Sequence, residues 1–193
     1  MPRVEVFNKE EVLTNTILTF WKKGFHGTSM QDLVDATRLN RSSIYNSFGN
    51  KNELYEIALK KYQKERSALL QNSLIKAGNP REALQLIFTE IISQMHENKY
   101  VHGCFEINSK TEMGHQNEVI SQLLLKSEEQ QLDFFEHLIK DGQNRGLINE
   151  RQSASEYAFL IFNAYQGIQL SGIFIKNKES LQTIAHNSLR ILM

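Results

Sequence analysis

The feature that most constrains this chain is a recurring four-residue spacing. Asn8-Lys-Glu-Glu11, Thr28-Ser-Met-Gln31, Asn50-Lys-Asn-Glu53, Asn79-Pro-Arg-Glu82 and Ser153-Ala-Ser-Glu156 each put a short hydrogen-bonding residue three positions before Glu or Gln. In that arrangement the first side chain accepts from an amide of the opening helical turn, and the third-position side chain reaches back to the cap amide. Five such signals predict a succession of helices. The chain has only two prolines, and Pro80 falls at a first helical position, where a missing N–H costs nothing. Gly24, Gly78 and Gly146 stand where helices should stop.

Apolar spacing agrees. Ile120, Leu123, Leu124, Phe134, Phe135, Leu138 and Ile139 recur at intervals of three and four, as do Leu181, Ile184, Ala185, Ser188 and Leu192. Strand-like alternation between hairpin turns is absent. The reading is an all-α fold of about nine helices, near 9–24, 29–37, 41–47, 51–73, 80–98, 104–112, 116–145, 153–174 and 179–192. Residues 1–50 form one unit and 74–193 a second, with the long helix at 51–73 as a rigid strut between them.

Lys and Arg total 22 and so do Asp and Glu, which argues against bulk polyanion binding. Residues 1–66 hold eleven Lys/Arg and eight Asp/Glu, so the first third is mildly positive. No run approaches the ~18 apolar residues of a membrane-spanning helix. The opening Met1-Pro-Arg-Val-Glu-Val-Phe is charged rather than leader-like, and a single cysteine excludes an internal disulfide framework. The cytoplasm is the expected compartment.

Residues 28–48 carry the strongest local signal. A capped short helix turns Met30, Leu33 and Val34 inward, a break follows at Arg38-Leu39-Asn40, and a second short helix turns Ile44 and Phe48 inward. Arg41, Ser42, Ser43, Tyr45, Asn46 and Ser47 are left for the outer face. Two short helices joined by a tight turn make either a plain surface corner or a helix-turn-helix. The outer face is rich in short donors and carries one Arg, which suits phosphates and base edges in a major groove.

Residues 9 to about 62 resemble the DNA-binding domain of the TetR family of bacterial transcriptional repressors. The resemblance rests on Leu18-Thr-Phe20, Gly24-Phe-His-Gly-Thr-Ser29, Asp32-Leu33, Leu39-Asn-Arg-Ser-Ser-Ile-Tyr45, Phe48, Lys51 and Glu53-Leu-Tyr55. It implies a two-lobe subunit and a homodimer built on helices eight and nine. It also implies a C-terminal pocket whose small-molecule ligand releases a palindromic operator. By the same resemblance Thr28 is the cap residue that touches phosphate, with Ser29 beside it. Arg41 and Ser42 face bases, Ser43 and Tyr45 reach phosphate or base, and Lys51 touches phosphate; Tyr55 is core. Two positions depart from the family: Val34 replaces a small residue and Arg38 a glycine, so Arg38 is expected in a left-handed conformation.

The C-terminal lobe is less legible. Candidate effector-pocket residues are Met95, Cys104, Phe105, Asn108, Met113, Phe134, Leu138, Phe162, Tyr165 and Gln166, although aromatic and Met stripes at helical spacing also build cores. They suggest an apolar or amphipathic effector. Cys104 follows His102-Gly103 at a helix start, which favours a reactive thiolate; burial against Phe105 and Ile107 would make it inert. His96, His102, Cys104 and His115 match no zinc spacing, and no metal or cofactor is expected. Ala164, Gly167, Ser171 and Gly172 permit close helix approach at a dimer interface. Glycine-rich phosphate loops, nucleophile elbows and His-Glu-x-x-His runs are missing, so an enzyme is not expected. A DNA-binding protein that serves a protein partner is the alternative, and an all-α enzyme a more distant one.

Overall fold

The computed structural model describes residues 7–97 and 103–193. Among them are nine α-helices and no strand. These are α1 (Lys9–Lys23), α2 (Met30–Thr37), α3 (Arg41–Phe48), α4 (Lys51–Lys76), α5 (Pro80–His96), α6 (Phe105–Met113), α7 (Glu118–Asn144), α8 (Ala154–Ser171) and α9 (Lys178–Leu189). A 3-10 turn, Arg190–Leu192, closes the chain. The end of the fifth helix expected near 98, the start of the first unit at 1–6, and His102 lie outside the described residues.

Caps set most of these boundaries. Asn8 accepts from the Glu10 and Glu11 amides, and Asn50–Glu53 and Ser153–Glu156 form reciprocal boxes. Asn79 accepts from the Glu82 amide behind Pro80, while the Glu82 carboxylate takes the Gly78 amide instead of closing a box. The expected box at Thr28–Gln31 is a correction. The cap of α2 is Ser29, boxed with Asp32, because the Thr28 hydroxyl donates to the Gly24 carbonyl at 2.6 Å.

Two apolar clusters hold the molecule. One joins α1, α2 and α3 to the first half of α4 through Phe20, Trp21, Leu33, Ile44, Phe48, Tyr55 and Tyr62. It also takes in Phe105 and Met113 of α6 and Ile120 and Leu124 of α7. The other gathers α5, the rest of α7, α8 and α9 around Ile87, Phe88, Phe135, Ile139, Tyr157, Ile161 and Leu181. Twenty-six residues make α4 about 39 Å long, enough to serve both clusters. The first cluster thus draws on both lobes, with α6 packed against α1, α4 and α7.

Candidate nucleic-acid interface and interior polar cavity

The turn between α2 and α3 is made by Arg38, the only described non-glycine residue with positive φ (58°, ψ 18°). Its amide still donates to the Val34 carbonyl, ending α2 in a left-handed cap, and Asn40 then caps α3 by accepting from the Ser43 amide at 2.8 Å. Leu33 and Ile44 are fully buried and Phe48 nearly so, while Met30 and Val34 are only partly buried. Since α3 has eight residues and inserts Ile44 and Phe48 four apart, its remaining residues ring the outer side. Arg41, Ser42, Tyr45 and Asn46 are exposed, and Ser43 and Ser47 are half-buried at the edges.

The long side chains of this face are braced by aromatic rings. The Arg41 guanidinium lies 6.0 Å from the centre of the Tyr45 ring, and the Lys51 ammonium 4.3 Å from that of Phe25. Thr28 is placed differently from the expectation. It is 1% exposed, its hydroxyl is bound to Gly24, and its amide donates to the Phe25 carbonyl, so no donor of Thr28 faces outward. Ser29 stays at the surface. Its amide and hydroxyl both donate to the Asp32 carboxylate, which also receives Lys23 at 2.5 Å. The Lys23 bond, with Ser29 adding to it, pulls the Asp32 carboxyl down to about 2.

The ten C-terminal candidates fall into distinct settings. Phe105 and Met113 are core of the first cluster, and Met95 and Phe162 of the second. Phe134 and Leu138 line grooves between α4 and α7. Cys104, Tyr165 and Gln166 border a small interior void with Arg66, Glu106, Lys110, Gln131 and Gln169. Asn108 is half-buried and borders neither. The larger groove is ≈ 640 Å³ and is lined mainly by Lys60, Gln63, Lys64, Ser67, Gln71, Gln130, Gln131 and Phe134.

The interior void is bordered by polar groups that the sequence reading passed over. Arg66 donates to the Tyr165 hydroxyl at 2.9 Å, to Gln169 Oε1 at 3.0 Å and to Gln94 Oε1 at 3.3 Å. Glu106 accepts from Gln63 and Gln131, which also border the outer groove. The signal was present in the helical phase. Arg66 stands between Tyr62 and Leu70 on the buried stripe of α4, and Gln169 follows Tyr165 by four on that of α8. The Cys104 thiol, at the cap of α6, is buried and receives the Tyr62 hydroxyl at 3.4 Å. Burial pushes its pKa up against the opposing pull of Arg66, contrary to the reactive thiolate that a helix start favours.

Residues 12–58 match the family described as bacterial regulatory proteins, tetR family, and residues 80–187 match a tetracyclin repressor-like C-terminal domain. The chain is 26% identical over 190 residues to the HTH-type transcriptional repressor ComR of Escherichia coli (strain K12), covering 98% of this chain and 90% of that one. It is 28% identical over 149 residues to the HTH-type transcriptional regulator YezE of Bacillus subtilis (strain 168), 77% of each chain. Among solved structures, a cysteine mutant of the regulator CifR complexed with 26bp double-strand operator DNA superposes with a TM-score of 0.88 at 19% identity, over 99% of this chain and 100% of that one. A regulatory protein TetR from Rhodobacter sphaeroides gives 0.87 at 17% identity, over 95% and 98%.

Proposed function

Because this chain belongs to the TetR family of bacterial regulatory proteins, we propose that it is a cytoplasmic repressor that leaves a palindromic operator when a polar small molecule enters the α4–α7 groove. The observation that carries the DNA-binding part is the division of α3. Ile44 and Phe48 hold it in the core, so Arg41, Ser42, Tyr45 and Asn46 are presented together on one face. That face has the shape and donor set of a recognition helix, and Ser43, Ser47, Ser29 and Lys51 lie at its margins. The positions of Thr28's donors support a structural role for that residue instead.

Two subunits join through the exposed apolar face of α8 and α9. Phe159, Leu160, Leu170, Ile184 and, in the connection between the helices, Phe174 stand in solvent in the single chain, and Phe174 is 84% exposed. Gly167 lies on the same side, where an added Cβ meets nothing within the chain. Exposed apolar side chains gathered on one face in this way mark a protein–protein contact.

The groove residues argue for a polar effector rather than the apolar or amphipathic one that the aromatic stripe suggests. Gln63 and Gln131 line the groove and also hold Glu106, which borders the void beside Arg66. An effector bearing hydrogen-bonding groups can exchange those partners for its own. As a regulator the protein carries out no catalytic step. The test is selection of duplexes from a random-sequence pool, followed by screening of metabolites for thermal stabilisation and then for release of the selected duplex. An inverted repeat bound by a dimer, and released by a stabilising compound, is the expected result. Duplex binding that ignores every stabilising compound would remove the effector half of the proposal.

A further inference from the structure

The last turn of α6 reaches into the N-terminal unit through one side chain. Glu112 Oε2 accepts the Phe25 amide at 2.7 Å, and its Oε1 accepts the His26 amide at 2.8 Å. Both amides lie in the turn that leads from α1 to α2, just past Gly24, the residue that ends α1. Gly24 has φ 74°, and a Cβ on it would stand 2.8 and 2.9 Å from the two carboxylate oxygens. The turn's conformation and the room for the carboxylate therefore both call for glycine. Three residues beyond α6, Gln116 Oε1 meets His26 Nε2 at 2.8 Å.

Besides the hydrogen bond between the Tyr55 hydroxyl and Ser109 Oγ at 2.7 Å, the neighbouring contacts of α6 with α1 and the first half of α4 are mostly rings. Phe105 lies against Trp21, Tyr55 and Tyr62. Ring packing holds surfaces together but tolerates small rotations. Two charge-assisted hydrogen bonds to consecutive amides do not, because both distances and both angles must be met at once. The gripped turn runs directly into the Ser29 cap of α2, and α2 carries α3. In a dimer joined by its C-terminal lobes, the separation of the two α3 helices depends on how each N-terminal unit is seated on its own lobe. We infer that Glu112 is a positioning residue for DNA binding, which sets the tilt of the helix-turn-helix and hence the half-site spacing the dimer accepts. This rests on the dimeric DNA-binding reading above.

The test uses the full-length dimer in a Cys104→Ser background, with a nitroxide on Thr14→Cys at the exposed side of α1. Pulsed dipolar spectroscopy without DNA gives the distribution of distances between the two labels. Glu112→Ala removes both acceptors, and Glu112→Gln keeps the size but turns an N–H toward one of the amides. Expected is a broader distribution in both variants, with sedimentation showing intact dimers. Affinity for a duplex selected by the parent protein should fall about tenfold, and the penalty for adding one base pair between half-sites should shrink. A distribution that matches the parent's in both variants would overturn the inference, and Glu112→Gln decides alone if Glu112→Ala folds poorly. Failure of the parent to select any duplex would count against the DNA-binding reading, while the label distances still judge the clamp.

Discussion

Arg38 holds φ 58° and ψ 18°, a left-handed conformation that costs a non-glycine residue about 1–2 kcal/mol. Nothing in the turn requires its side chain, which is exposed. Arg38→Gly should therefore stabilise the fold, with part of the gain offset by the greater freedom of glycine in the unfolded chain. A melting temperature raised by about 2–4 °C is expected, and a lowered one would show that the arginine contributes more than its strain costs. At Tyr55 the predictable quantity is a titration. Burial pushes its phenol up to about 12, against the opposing hydrogen bond with Ser109. A raised folded-state pKa means stability that is whole below the ordinary tyrosine value near 10 and is lost as pH climbs from there to about 12. Burial also pushes the Tyr165 phenol up, so ultraviolet difference titration should show more than one tyrosine ionising late, together with alkaline unfolding; Tyr55→Phe should reduce this late ionisation by one tyrosine. Cys104 follows the same sign, so its alkylation in the folded protein should be slow at pH 8 and rise only as the pH approaches unfolding conditions.

At the scale of the element, the proposed roles of α3 and of the start of α4 in recognition lead to different expected outcomes. If, as proposed, Tyr45 and Lys51 contact backbone phosphate, replacing either by Ala should weaken binding to all duplexes alike. Arg41→Ala should in addition relax base preference at one position of each half-site, by roughly 1–3 kcal/mol of discrimination. Binding arrays of single-base operator variants separate the two patterns. Along α8 the exposed positions Leu160, Gly167 and Leu170 share one side. Leu170→Glu should dissociate the dimer, read by sedimentation velocity, and leave the helix content of the subunit unchanged, because Leu170 is 54% exposed and packs little within its own chain.

For the whole molecule the decisive fact is that the N-terminal core is not built from the N-terminal unit alone. Phe105 is 1% exposed among Trp21, Tyr55 and Tyr62, and Met113, Ile120 and Leu124 belong to the same cluster. The two units should therefore unfold together. Phe105→Ala is expected to cost about 3–5 kcal/mol in a single transition that near-ultraviolet and far-ultraviolet circular dichroism report alike. A fragment of residues 1–77 would lack those four side chains and should melt without cooperativity.

Much of this was legible in the chain itself, because the relevant physics is local. Asn8, Asn50, Asn79 and Ser153 each satisfy amides within three residues, so the helix starts followed from short spacings. The outward set on α3 followed from a 3.6-residue period acting over eight positions. The left-handed Arg38 was expected only through the family resemblance, because it stands where that family has a glycine. The α2 cap was not legible, since Thr28 and Ser29 offer adjacent registers and only the Gly24 carbonyl, which claims the Thr28 hydroxyl, separates them. Arg66, Glu106 and Glu112 also escaped. Their partners lie 28 to 103, 25 to 43 and 86 to 87 residues away. A charged side chain on a helix looks the same in sequence whether it meets water or a distant amide. Local hydrogen bonds and periodicity determined the elements; which charges are buried, and what α6 grips, were decided only when packing brought remote segments together.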